Sequence, residues 1–325
     1  MASLRSNMKN ISVIGAGLMG HALALVYVLG GHRVRITDSK QEVLEDSKEM
    51  MAGALDLLVE NHEVESGWNR EKLFNSIRWC STLEETLEDV ELVVEAIVES
   101  LDAKKILYEK IDKLIDEDCV IASNTSELDI FPVIPEKRQE NSLIMHWYSP
   151  PYLCDLVDIA AGPITKSELV KEMTEMVIAM GKEPVVFKKF IPGYVANRVQ
   201  SAINLELFDL LDHGLVTPED IDRSLIHGLA LRLPILGMMA KNDFAGLPLL
   251  QEIYSNRSYT PPIVRGKCET LDRLIDEGRK GVMNGKGFYD WGNKSPDDLF
   301  RERNTKLLKL KKLLREIKPM GIEIN

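Results

Sequence analysis

Along the first half of the chain, short apolar runs alternate with stretches whose apolar positions recur every three to four residues. This is the pattern of a parallel sheet covered by helices on both faces. Runs at 11–15, 33–38, 91–97, 119–124 and 142–147 predict strands. Between them, 17–29 is apolar nearly all round and predicts a helix packed on the sheet, while 102–115 sets Ile106, Leu107, Ile111, Leu114 and Ile115 on one stripe. After Ile164 the character changes: 167–180 is strongly amphipathic, and beyond Ile191 the pattern is almost wholly helical. A break at Pro192-Gly193 predicts an α/β domain over 1–190, doubly wound with a mostly parallel sheet, and an all-α domain over 191–325. In the second, a helix over 194–213 stops at Gly214, and Thr217-Pro218-Glu219-Asp220 supplies an N-cap, a proline at the first helical position and an acid at the third. No internal repeat is present.

Charge narrows the partners. The formal net charge of -11 argues against nucleic acid, which needs clustered Lys and Arg in excess. One basic stretch, 306–318, carries Leu307, Leu308, Leu310, Leu313, Leu314 and Ile317 at helical spacing; it reads as a helix capping the last domain, with a membrane-surface helix as the alternative. No apolar run is long enough to span a bilayer and 1–10 has no signal core, so no membrane partner and a cytoplasmic or organelle-matrix location are expected. Cys80, Cys119, Cys154 and Cys268 form no CxxC pair, which predicts neither a metal site nor a disulfide scaffold.

The first strand leads directly into Gly15-Ala16-Gly17-Leu18-Met19-Gly20 and then a helix. In that context Gly15 permits a tight turn, Gly17 lets a pyrophosphate approach the backbone at the positive helix end, and Gly20 lets helix and strand close up. Asp38, 18 positions after Gly20, ends the second strand where an acid bonds an adenosine ribose and repels a 2′-phosphate. Strand, loop, helix and acid together predict a Rossmann domain binding NAD, with Leu18 and Met19 of the loop among the cofactor contacts. Lys40 is the feature that leaves NADP open.

A hydride transfer also needs a group for the hydroxyl proton. Of six histidines, His146 ends an apolar strand at the carboxyl edge, before Pro150-Pro151 turns the chain away. It fits either an acid/base or a hydrogen-bonded core histidine.

Several stretches then resemble the 3-hydroxyacyl-CoA dehydrogenase family in order and spacing: 93–101, Ser123-Asn124-Thr125-Ser126, 146–158, Pro192-Gly193-Tyr194-Val195-Ala196-Asn197-Arg198 and Gly285-Lys286-Gly287-Phe288-Tyr289. The resemblance implies that His146 is the general base and that the acid twelve residues on, Asp158, orients its ring. It implies that Ser126 and Asn197 hold the reacting oxygen, and that Ala96, Glu99, Lys104, Asn124 and Ser126 line the cofactor site. It further implies a site in the cleft between the domains and a homodimer formed largely through the helical one. By residue type alone, Ser126 also fits a helix N-cap, Asn197 a polar helix start and Asp158 a strand-end acid. Two departures stand out. The family has glutamate where Asp158 stands, so the dyad is expected to need a backbone shift or a bridging water. The family also has asparagine where Ser149 stands.

For the substrate, 41–66 holds one lysine, Lys48, against eight acids, a face that would repel a CoA tail or simply be solvated. The run His146-Trp147-Tyr148-Ser149-Pro150-Pro151-Tyr152 and Gly228-Leu229-Ala230-Leu231-Arg232 are more similar to the branch of lambda-crystallin, L-gulonate 3-dehydrogenase and carnitine dehydrogenase, which acts on free hydroxy acids. Arg232 is then the candidate carboxylate clamp, or else a surface ion-pair partner. The expected reaction is oxidation of a small 3-hydroxy acid to its ketone. A short-chain 3-hydroxyacyl-CoA dehydrogenase and a crystallin-like NAD-binding protein with little activity are the alternatives.

Overall fold

The structure, a computed structural model, describes residues 9–256, 260–263 and 268–320. The stretch read as lacking a signal core thus lies almost wholly outside the described residues. The chain divides into two compact units that meet in sequence between Tyr194 and Val195.

The first unit is built on one eight-stranded sheet. Its elements are β1 (Asn10–Ile14), α1 (Gly20–Leu29), β2 (Arg33–Thr37), α2 (Gln41–Glu60), α3 (Arg70–Ser76), β3 (Ile77–Trp79), α4 (Leu83–Leu87) and β4 (Leu92–Glu95), followed by α5 (Leu101–Ile111), β5 (Val120–Ser123), β6 (Ser142–Trp147), β7 (Leu156–Ala161), α6 (Ser167–Ala179) and β8 (Glu183–Phe187). The strand order is β3-β2-β1-β4-β5-β6-β7-β8, parallel at every pairing except β6 with β7. Six of these strands repeat the doubly wound dinucleotide-binding order, extended by an antiparallel strand and its parallel neighbour.

The central strands are buried on both faces, so they read as apolar runs: β4 and β5 have no exposed residue and β6 is buried throughout. α1 buries nine consecutive residues from Gly20 to Val28, whereas α2 buries Leu44, Met51, Leu55 and Leu58 on one stripe and shows its acids to solvent. Side-chain caps start the shorter helices: Asn69, Thr82 and Ser100 accept from Lys72, Glu85 and Ala103 respectively.

Three strands were not predicted. β3 is only three residues long, the apolar run of β7 is broken by Asp158, and β8 is a half-exposed strand at the sheet edge containing Pro184. The helix expected from 17 begins at Gly20, because 17–19 form the turn out of β1. The one expected over 102–115 ends at Ile111, with Ile115 buried just beyond it.

The second unit is helical: α7 (Ala196–Asp212), α8 (Pro218–Ser224), α9 (Leu233–Ala245), α10 (Leu247–Ser255), α11 (Glu269–Asp276) and α12 (Pro296–Ile317). Thr217 caps α8 by accepting from the Asp220 amide, with Pro218 at its first position. A six-residue stretch of wider, π-type helix over 225–230 joins α8 to α9, which bends at Gly237. α11 starts against the end of α7, where the Asp212 carboxylate accepts from the Glu269 and Thr270 amides at 3.0 and 2.8 Å. Little of this unit is sealed within one chain: α7 buries no residue fully and α12 only Asn304 and Leu308.

Candidate active site

Because β1, β4, β5 and β6 run parallel, their carboxyl ends fall along one edge. Hydrogen bonds tie that edge together from strand to strand: Gly15 to Thr37 O, Ala96 to Ile14 O, Asn124 to Glu95 O, and the Trp147 amide to Asn124 Oδ1 at 2.9 Å. Three strand spacings, roughly 14 Å, separate β1 from β6.

The glycine loop opens this edge. Gly15 has φ +98, and a Cβ there would lie 2.5 Å from the Ala96 carbonyl oxygen; a Cβ on Gly20 would fall 1.6 Å from the Gly15 oxygen. Both positions therefore exclude any side chain. At Gly17 a Cβ would meet nothing within 4 Å, so the backbone at the head of α1 faces open space. Leu18 beside it is 70% exposed. Asp38 secures the loop from β2: its Oδ2 accepts from the Ala16 amide at 2.8 Å and its Oδ1 from the Lys40 amide at 2.9 Å. An uncluttered amide-lined turn with a carboxylate at the next strand end suits a pyrophosphate and a ribose bearing free hydroxyls.

Beneath the edge lies a buried acid. Glu95, fully buried, accepts from Lys104 Nζ (2.7 Å), the Tyr108 hydroxyl (2.8 Å), the Ser123 hydroxyl (2.6 Å) and the Ile97 amide (2.9 Å). Burial and the neighbouring Glu95 charge hold the Tyr108 phenol protonated, well above its ordinary range. Lys104 is only 1% exposed and also lies 3.4 Å from Glu99. Its ammonium thus holds two carboxylates rather than facing solvent.

Glu99 in turn shapes the turn after β5, where one of its oxygens accepts from the Thr125 hydroxyl (2.5 Å) and from the Ser126 and Glu127 amides (3.1 and 3.3 Å). Burial alone would raise the Glu99 carboxyl, but those donors and the Lys104 charge outweigh it and bring it below its usual range. The Ser126 backbone is fixed on its other side as well, its carbonyl accepting from the Gly193 amide at 2.9 Å. No helix starts at Ser126, so it is not an N-cap; in the turn there the Thr125 hydroxyl accepts from the Leu128 amide.

His146 and Asp158 are direct register partners across the antiparallel pair β6–β7. That pairing brings His146 Nδ1 to 3.3 Å from Asp158 Oδ2, so the shorter acid reaches the ring directly, and of the two routes expected for it the bridging water is not needed. Opposed residues on one face have their Cβ atoms about 5 Å apart, a gap one carboxylate arm and one imidazole can fill. Nor is Asp158 at a strand end; it sits in the middle of β7. The same oxygen accepts from the Tyr148 hydroxyl at 2.6 Å.

The imidazole is held on two sides, edge-on to Tyr148 (centroids 4.6 Å apart) and stacked on Tyr194 (5.0 Å, 17° between planes). It is 6% exposed. Nε2 forms no hydrogen bond in the described residues and is not among the sealed, partnerless polar atoms, so the exposed rim of the ring includes it. Tyr194 adopts φ +48 and packs on Phe187 and Phe190.

Tyr148, Tyr194, Thr125 and Glu95 were not singled out from sequence. Glu95 had a signal, an acid inside an apolar strand. The others had none beyond lying in runs already noted.

Asn197 and Arg232 belong to the second unit. Asn197 is half-buried in the first turn of α7, and Arg232 is exposed just before α9, its Nε donating to the Gly228 carbonyl at 3.1 Å. The acidic face of α2 is less negative than 41–66 alone implied, because Arg70 folds back to Asp56 (2.7 Å) and Glu49 (3.1 Å). Among the described residues no group of three or more His, Cys, Asp or Glu could hold a metal.

Comparison with known proteins decides the family. Residues 10–190 match the NAD-binding domain of 3-hydroxyacyl-CoA dehydrogenase, and 193–291 match its C-terminal domain. The chain belongs to the 3-hydroxyacyl-CoA dehydrogenase family.

Among this family's members, 5-formyl-3-hydroxy-2-methylpyridine 4-carboxylate 5-dehydrogenase of Mesorhizobium japonicum is 27% identical over 320 residues, covering 94% of this chain and 98% of that one. The mitochondrial hydroxyacyl-coenzyme A dehydrogenase of Sus scrofa is 28% identical over 291 residues, covering 87% and 91%. A solved structure of a 5-formyl-3-hydroxy-2-methylpyridine 4-carboxylic acid 5-dehydrogenase, described as an NAD+-dependent dismutase, superposes with a TM-score of 0.83 at 26% identity, covering 96% of this chain and all of the other. As a 3-hydroxyacyl-CoA dehydrogenase family member the protein is an NAD-dependent dehydrogenase acting on CH–OH groups, and the glycine loop with Asp38 is where its residues fit the cofactor.

Proposed function

We propose that this dehydrogenase oxidises a hydroxyl of a small carboxylate-bearing substrate, a 3-hydroxy acid or similar hydroxylated anion, with His146 as its acid/base. The observation that carries the proposal is the His146–Asp158 contact on the sheet edge shared with the glycine loop. When bound, NAD supplies the hydride acceptor.

The side chains supply the proton chemistry. His146 Nε2, on the exposed rim of the ring, takes the hydroxyl proton, while Asp158 keeps the Nδ1 proton in place and stabilises the ring once it is charged. Ser126, on a turn rigidified by Glu99, and Asn197 are the proposed donors to the oxygen as it becomes a carbonyl. Ala96 and Asn124, at the ends of β4 and β5, with Glu99, complete the proposed cofactor lining around Gly15, Gly17, Leu18, Met19, Gly20 and Asp38. Lys104 acts there through Glu99.

A free acid is favoured over an acyl-CoA on two grounds. Even with Arg70 folded back, α2 still exposes Glu42, Glu45, Asp46 and Glu49 where a CoA phosphate would want cations. The relative from Mesorhizobium japonicum, by its name, acts on a pyridine carboxylate rather than a thioester. Arg232, exposed, is the proposed clamp for the carboxylate, which a guanidinium can grip through two N–H groups.

The test is NADH formation across 3-hydroxybutyrate, gulonate, carnitine and a 5-hydroxymethyl or 5-formyl pyridine 4-carboxylate, set against 3-hydroxybutyryl-CoA. One of the free acids is expected to give the highest kcat/KM, by about tenfold or more. A higher value for the acyl-CoA would contradict the proposal.

The four cysteines are free thiols, three of them buried, which supports a reducing, cytoplasmic setting. No helix among the described residues is long and apolar enough to cross a membrane. We also propose a homodimer. The second unit leaves the large apolar side chains of Leu231, Met239, Phe244, Leu247 and Tyr254 at least 60% exposed in a single chain, surface that a second copy would cover.

A further inference from the structure

We infer that Tyr148 is the third member of the acid/base assembly, a positioning residue whose hydroxyl fixes the Asp158 carboxylate where an aspartate can serve His146. The inference rests on the reading of His146 as the acid/base. It begins with a mismatch of length: the arm at 158 is one methylene shorter than the glutamate implied by the family resemblance. A shorter carboxylate that still meets the ring must be held in one orientation, since a free rotation about its last bond would swing Oδ2 away from Nδ1.

Tyr148 supplies the hold. Its hydroxyl donates to Asp158 Oδ2 at 2.6 Å, the same oxygen that faces His146 Nδ1 at 3.3 Å. The Tyr148 ring also meets the imidazole edge-on, with centroids 4.6 Å apart, so one side chain fixes the acid and braces the base. Tyr194 closes the other face by stacking. Burial, and then its bond to Asp158, push the Tyr148 phenol far above neutral pH, so it remains a donor throughout the working range. Asp158 is itself 1% exposed, and water is no ready substitute for the tyrosine. The ionisable groups facing His146 are thus Asp158 from β7, Tyr148 from the loop after β6 and Tyr194 from the segment after β8.

The geometry makes residues 148 and 158 interdependent. A glutamate at 158 would push its carboxylate into the space of the Tyr148 hydroxyl, and a phenylalanine at 148 would vacate about that space. The tyrosine–aspartate and phenylalanine–glutamate pairs are therefore alternative solutions to one spacing problem, and the mixed pairs are not.

The test is a double-variant cycle in the full chain with NAD and the best substrate of the panel, the fold of each variant checked by its Tm. Tyr148→Phe and Asp158→Glu are each expected to lower kcat about tenfold, and the double variant Y148F/D158E to turn over faster than either. In Tyr148→Phe the acid limb of the kcat profile for oxidation should also move to higher pH. With its hydrogen-bond donor gone, the Asp158 charge bears more strongly on the imidazolium, which a purely structural loss would leave unchanged.

Losses that multiply to about a hundredfold in the double variant, or a Tyr148→Phe enzyme with unaltered kcat and pH profile, overturn the inference. The control separates the two layers. If His146→Ala abolishes turnover while the losses multiply, only the role of Tyr148 fails; if His146→Ala is active, both fail.

Discussion

At the residue scale, the sheet edge that carries the site rests on a buried polar network. At its centre is Glu95, a fully buried carboxylate with four donors, one of them the nearly inaccessible Lys104. Removing it would leave a phenol and a hydroxyl without their acceptor below the sheet edge, and Lys104 with Glu99 alone. Glu95→Ala should therefore cost about 3–5 kcal/mol in urea unfolding, the range for breaking a buried pair by deleting one partner. A cost below about 1 kcal/mol would show that the network relaxes or admits water. Gly20 makes a second residue-scale prediction. A methyl group there overlaps the Gly15 carbonyl, so Gly20→Ala should weaken NAD binding at least about tenfold by shifting the loop, as titrated by fluorescence.

How much was legible at this scale depended on the kind of signal. Glycines in a strand–loop–helix context and a histidine at a strand end can be read from spacing, because the backbone dictates them. The roles of Tyr148 and Tyr194 could not be. They arise from which strand pairs with which, and aromatic residues beside a histidine have no fixed meaning along a sequence.

At the scale of elements, helix and strand types followed the periodicity, and the errors cluster where periodicity is weak. β7 escaped notice because the very residue that serves His146, Asp158, interrupts its apolar run. The direct contact of the dyad partners was equally illegible, since it follows from the antiparallel register of β6 with β7, a property of pairing and not of either strand alone.

The junction of α7 with α11 makes a prediction of its own. Asp212 accepts two amides at the start of α11, led by that of Thr270, and these hold its carboxyl at about 2. A carboxyl depressed in the folded state stabilises above its unfolded value of about 3.9, and that contribution is lost as pH falls toward the folded value. Asp212→Asn should thus cost about 1 kcal/mol at pH 7, a figure reduced from the full shift because the side chain is half-exposed and screened. The difference from the parent chain should shrink between about pH 4 and pH 2. A difference independent of pH over that range would mean that the cap acts by geometry alone.

At the scale of the whole molecule, the two units differ in how far they complete themselves. The first seals its sheet between helices. The second carries α7 with no fully buried residue and α12, the helix expected at the end of this domain, with two. Leu307, Leu310, Leu313 and Ile317 of that stripe are each more than 40% exposed. The proposed second copy would cover this surface, and sedimentation at micromolar concentration is expected to give twice the mass of one chain; a monomer would refute the proposal. The change of period near Ile191 lies three residues before Tyr194, where the first unit ends. What covers the helical surface was not legible, because an interface pattern and a core pattern are the same along a helix.

The central claim concerns His146, and its replacement tests it most directly. In His146→Ala, NAD affinity measured by titration should stay within about twofold of the parent, because the glycine loop and Asp38 are untouched. Steady-state turnover should fall by on the order of a hundredfold or more, as expected for loss of a general base. Turnover close to that of the parent, with NAD bound as tightly, would contradict the account.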